Sequence, residues 1–129
     1  MAPAVSTQPI ESATHEDEDA PQIVLLEPAQ VVRDEQNARE TDTEPDEELI
    51  ASVKEIGVEE TISVRPRHDG TYGAFKGWRR AQALKIANDT AVLDGRPVRR
   101  IKAHVREDLV GKDGWTRFLS LVENKHREG

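Results

Sequence analysis

The chain contains no cysteine. That excludes disulfides, thiolate metal sites and a cysteine nucleophile, and it fits a reducing intracellular compartment. Aromatic residues are scarce, with two Trp, one Tyr and two Phe, so a core must be built mainly from aliphatic side chains. No apolar run approaches the roughly 20 residues that cross a bilayer. The N-terminus also lacks the cationic start and apolar stretch of a secretory signal. These absences lead to the expectation of a soluble, cytoplasmic protein without a membrane partner. Its 129 residues suit one small domain and not a large enzyme.

The net charge of −7 conceals a division. Residues 1–48 hold 14 acids against Arg33 and Arg39, a balance of −12, whereas residues 49–129 hold 11 acids against 16 Lys and Arg, a balance of +5. An acidic arm precedes a basic body. The body could attract a nucleotide or nucleic-acid phosphate, although the same charges also make an ordinary solvated surface. Residues 1–21 carry Pro3, Pro9, Pro21 and the run Glu16-Asp17-Glu18-Asp19, with little that could enter a core. They are expected to be a disordered acidic tail, leaving residues 22–129 as the globular domain.

Within that domain, Ile23–Leu26 closed by Pro28 reads as a strand, and Val31-Val32 resumes the apolar pattern before a polar loop over 33–43. Thr43-Glu44-Pro45-Asp46 followed by Glu47-Glu48 is a helix start. Leu49, Ile50, Val53 and Ile56 give that helix an apolar face, and Gly57 suits a left-handed C-terminal position. Ile62–Arg65 and Thr71–Phe75 flank the turn His68-Asp69-Gly70 as a hairpin. A second helix is predicted from Gly77 to about Ala87, ended by Asn88-Asp89, with Ala81, Leu84 and Ala87 inward. Ile101, Ala103 and Val105 alternate with polar residues as a strand. Trp115, Phe118, Leu119 and Val122 predict a third helix after a Gly111–Gly114 turn, with Trp115 and Phe118 in the core. The mixture of strands and helices indicates an α+β domain, a small mixed sheet with flanking helices.

Three segments carry candidate chemistry. In Gly77-Trp78-Arg79-Arg80-Ala81 a glycine lets the backbone approach a ligand, helix-start N–H groups point at it, and guanidinium groups bind phosphate oxygens in pairs. The same residues would also serve as a plain helix start. In Glu123-Asn124-Lys125-His126-Arg127, hard oxygen ligands from Glu123 and Asn124 suit Mg²⁺, while Glu123 and Arg127 could equally be an i,i+4 ion pair. Asn37-Ala38-Arg39 has no evident chemistry of its own. Arg96, Arg99, Arg100, Lys102 and Arg106 either touch a DNA backbone or form a wet strand face. The four histidines are too scattered to suggest a site.

The order of these elements is an N-x-R segment, a helix ending in Ser-x-Lys-x-x-Gly-Val (Ser52 to Val58), a hairpin, G-x-R-R-x-x-A and E-N-x-x-R. It resembles the N-terminal domain of ParB, the centromere-binding factors of chromosome and plasmid partition, over about residues 23–129. The resemblance implies a ParB/sulfiredoxin-like fold and a domain that binds and hydrolyses CTP with Mg²⁺, closing a homodimer into a clamp on DNA. Gly77, Arg79 and Arg80 would then hold the triphosphate in a loop that includes Trp78. Glu123 and Asn124 would position the metal for hydrolysis, and Arg127 would face the phosphates. Gly57 to Thr61 would lie near the base. Hydrolysis would rest on electrostatics and a positioned water. Such a protein would be associated with a nucleoid or plasmid.

The chain departs from the family at two places. Trp78 stands where Glu is usual, altering the phosphate loop, and Glu60-Thr61 stands where Gln-Pro is usual, altering the base pocket. The alternative expectation is therefore a non-catalytic regulator with a degenerate nucleotide pocket. The tail has no arginine before Arg33, which argues against a ParA-type ATPase partner. Family members continue into a helix-turn-helix and a dimerisation domain, so a chain ending two residues after the last motif is expected to be truncated. Sulfiredoxin chemistry is excluded because it needs a thiol. A two-metal nuclease would need clustered carboxylates, which the body does not offer.

Overall fold

The computed structural model describes residues 22–38 and 44–128, with side chains as far as Glu123. The tail assignment for 1–21, Thr43, and Arg39 of the N-x-R segment lie outside the described residues. Strands β1 (Gln22–Leu26), β2 (Val31–Arg33), β3 (Ile62–Pro66), β4 (Tyr72–Lys76) and β5 (Ile101–Val105) alternate with helices α1 (Glu47–Ile56), α2 (Trp78–Leu93) and α3 (Asp113–Glu128). A short 3₁₀ turn at Pro28–Gln30 joins β1 to β2, and another at Glu107–Leu109 lies between β5 and α3.

The five strands form one mixed sheet in the order β1-β5-β3-β4-β2. β1 runs antiparallel to β5 and β3 antiparallel to β4, while β5 is parallel to β3 and β2 parallel to β4. Alternation divides the central strand. Ile62 and Val64 meet Ala81, Leu84 and Ala87 of α2 and Val53 of α1 in the core. Ser63 and Arg65 point to the other face, where Arg65 meets Thr116 of α3. The α+β fold read from the sequence is the one observed.

The helix ends follow from local chemistry. Asp46 caps α1 by accepting from Leu49 N at 2.8 Å, with Glu47 and Glu48 in the first turn where the dipole favours acids. Gly57 ends it with φ of +80°, but its ψ of −168° is not the left-handed geometry expected. Only Val53 of α1 is fully buried, and Ile56, expected inward, is 55% exposed. α2 does not stop at Asn88-Asp89. Asn88 turns sideways instead, donating to Arg99 O at 2.9 Å and accepting from Arg99 N at 3.0 Å. The helix runs on through buried Ala91 to end at Asp94 and Gly95.

The third helix is rotated from its expected setting. Trp115 and Phe118 are 62% and 52% exposed and touch each other edge to face at 5.8 Å. Thr116 and Ser120 are buried in their place. The reason is what lies beneath. The Arg65 guanidinium is buried there against Asp34, at 2.7 and 3.0 Å, and also donates to Leu109 O, Asp113 Oδ1 and Thr116 Oγ1. A buried cation demands acceptors on every side, and a Trp or Phe face supplies none. Ser120 Oγ likewise accepts from Ala38 N at 2.8 Å. Asp34 itself fits because residue 73 is glycine, since a Cβ there would strike its carboxylate.

Candidate functional site

The turn between β4 and α2 is shaped by Gly77. Its φ is +83°, and a Cβ would lie 2.5 Å from Ile62 Cγ2. Both facts require glycine whether or not a ligand approaches. Among the described residues no side chain caps α2, and the N–H groups of its first turn have no acceptor within the helix. Trp78 packs half-buried against the core, and Lys85 Nζ sits 5.1 Å from its ring centroid. Partial burial lowers the Lys85 ammonium below the usual lysine range.

Arg79 and Arg80 diverge from this turn toward the two ends of α1. Arg79 Nε donates to Glu44 O at 3.1 Å, and its Nη2 donates to Asp46 Oδ2 at 3.3 Å. The Leu49 N–H and then Arg79 hold the Asp46 carboxyl below its ordinary range. Arg80 Nη1 lies 3.2 Å from Glu60 Oε1. Glu60 and Arg80 share the rim of a cavity of about 180 Å³ with Leu49, Ser52, Val53 and Ile56 of α1 and with Gly57, Val58 and Glu59. Exposed Ile56 is thus the apolar wall of a recess. Ligand pockets commonly begin near 300 Å³, so this one suits the smaller part of a ligand whose charged remainder lies along the open turn.

The structure therefore brings Gly57, Glu60 and Arg80 together, with Gly77, Trp78 and Arg79 in the adjoining turn. Thr61 follows at the entry to β3 and is half-buried. α3 carries Glu123 three residues beyond Ser120, half-buried. The side chains of Asn124 and Arg127 lie outside the described residues.

Two residues named in the sequence have roles that it did not disclose. Arg99 Nη2 donates to Glu55 O at 3.0 Å, and its Cδ would lie 3.3 Å from a Cβ at Gly57, so it fixes the end of α1 on which the cavity depends. Asn37 is buried, donates from Nδ2 to Ala74 O at 3.1 Å, and its own carbonyl accepts from Arg33 and Arg117. Asn37 heads the N-x-R segment and Arg99 stands in the basic run, but neither pattern discloses these contacts. Of the basic run at 96–106, Arg96 pairs with Asp94 and Arg106 with Asp108 at 3.1 and 2.9 Å. Among the described residues no group of three or more His, Asp or Glu could hold a metal.

The sequence pattern of the ParB N-terminal domain matches residues 12–124. The chain belongs to this family. Among solved structures, the C-terminally truncated chromosome-partitioning protein ParB from Caulobacter crescentus, crystallised with CTP-γ-S, is similar at 25% identity and a TM-score of 0.56. That match covers 80% of this chain and 52% of the Caulobacter protein, so the chain spans about half the length of that relative. Sulfiredoxin from Arabidopsis thaliana is 27% identical over 72% of this chain and 97% of its own, with a TM-score of 0.47. No curated protein matches. Among the described residues no helix is long and apolar enough to cross a membrane.

Proposed function

We propose that this ParB N-terminal domain binds a nucleoside triphosphate, CTP in preference, as the nucleotide-binding part of a DNA partition protein. The observation that carries the reading is the divergent pair Arg79 and Arg80 at the uncapped start of α2, beside the cavity closed by Gly57 and Glu60. Guanidinium groups and helix-start N–H groups are the two standard means of holding phosphate, and the cavity next to them has room for a base. The Caulobacter relative bound to CTP-γ-S supports the choice of nucleotide.

In this reading Gly77, Trp78, Arg79 and Arg80 hold the phosphates, and Gly57 to Thr61 face the base. The family resemblance assigns Glu123 and Asn124 to the metal and Arg127 to the phosphates. The donor set suits Mg²⁺ carried on the phosphates, because that ion keeps most of its waters and needs only one or two protein oxygens. Bound there, Mg²⁺ would neutralise phosphate charge. The arginines orient the phosphates, and hydrolysis, where it occurs, needs no covalent nucleophile. In the whole protein the reading extends to DNA and a second copy of the chain as partners, and to a place on nucleoid or plasmid.

Calorimetric titration with CTP and Mg²⁺ tests binding. Heat with CTP that exceeds heat with ATP, GTP and UTP is expected, and none in Arg80→Ala. Silence with every nucleotide at millimolar concentration overturns the reading. Phosphate release with each nucleotide, with and without DNA, separates a CTPase from a module that binds without turnover.

A further inference from the structure

Both arginines of the turn are occupied by carboxylates of the chain itself, and the two carboxylates come from opposite ends of α1. Asp46 has a second duty, since its other oxygen caps the helix. Glu60 has a different setting. It lies on the cavity rim in the segment between α1 and β3, its side chain 67% exposed, with its Oε1 3.2 Å from Arg80 Nη1.

We propose that the Glu60 carboxylate is a built-in competitor for phosphate at Arg80, so that this chain holds a triphosphate more weakly than its arginine turn alone would. The inference rests on the nucleotide reading above. An anion arriving at Arg80 meets a guanidinium already engaged by an oxygen anion, which it must displace. After displacement the carboxylate stays tethered at the rim and repels the bound phosphates. Exposed ion pairs are weak, so a polyanion wins this exchange, but at reduced affinity. Glu60 thus sets the strength of binding without contributing a contact to it.

The test uses the chain with two probes, CTP with Mg²⁺ and inorganic tripolyphosphate. Glu60→Gln should bind both about fivefold tighter than the unmodified chain, the scale of one exposed charge pair, with the difference shrinking as salt is added. Glu107→Gln, which removes the same charge from an exposed position on the 107–109 turn, should leave both affinities within about twofold. Equal or weaker binding by Glu60→Gln overturns the proposal. So does a change confined to CTP, because Glu60 would then be acting on the base. If neither the unmodified chain nor Glu60→Gln binds either probe, the nucleotide reading itself fails and this inference with it.

Discussion

Gly77 and Arg80 sit three residues apart and answer to different demands. Gly77 is dictated by packing, because its positive φ and the Ile62 methyl beside it leave no place for a side chain. Gly77→Ala should therefore lose about 2 kcal/mol or more in urea unfolding, from left-handed strain and the clash together. Arg80 is 30% exposed and paired with an exposed acid, a contact worth little to folding. Arg80→Ala should abolish triphosphate binding and leave the thermal midpoint almost unchanged. Leu84→Ala, one turn on and fully buried, should do the reverse and cost about 2–5 kcal/mol, with binding lost only as far as the fold is lost. An Arg80→Ala chain that unfolds, or that binds nucleotide normally, would reduce the turn to a helix start.

At the scale of elements, α3 is anchored by buried polar groups. Arg65 bridges Asp34 behind β2, the Leu109 carbonyl, and Asp113 and Thr116 of α3. Removing one partner of a buried pair leaves the other charge uncompensated, so Asp34→Ala should cost about 3–5 kcal/mol. Hydrogen exchange should show α3 amides exposed more than those of α2. β3, β5 and α1 were legible as elements because alternation marks a strand and helical spacing a helix, and the His68-Asp69-Gly70 turn added β4, although both faces of β3 and β4 are buried and Ile56 of α1 is exposed. The sequence failed for α3 because Trp115 and Phe118 mark an apolar face without saying what faces it. An Arg in a strand normally points to water, and nothing local to Arg65 reveals that Asp34 and Gly73 make a buried seat for it. The end of α2 was missed for a related reason, since Asn88 serves a distant backbone and not its own helix. The turn before α2 was legible in Gly77-Arg79-Arg80, whereas Gly57 entered the site only through the family resemblance. The recess beside it left no local signal, since Arg99, which steadies Gly57, comes from a loop far along the chain.

Across the whole molecule, several carboxylates are held below their ordinary values. Arg67 draws Glu35 from 4.5 to about 2, the Thr71 hydroxyl lowers Asp69, and the Arg106 guanidinium lowers Asp108. Each binds its proton more weakly folded than unfolded, so unfolding takes up protons in acid. Stability should be level above the ordinary carboxylate range and fall as the pH drops from about 4.5 toward 2. Thermal melts across that range check the direction, and a midpoint that rises on acidification would contradict it. The strand order has its own consequence. β1 is the first element of the sheet and β5 the last, yet Gln22 pairs with Val105 and Leu26 with Ile101. During synthesis, β1 therefore waits without its neighbour until nearly all of the described chain has emerged, and the edge of the sheet can close only then. Contacts so distant in sequence form slowly, so β1 gains its partner later than β3 and β4 gain each other, with α3 still to be added after it.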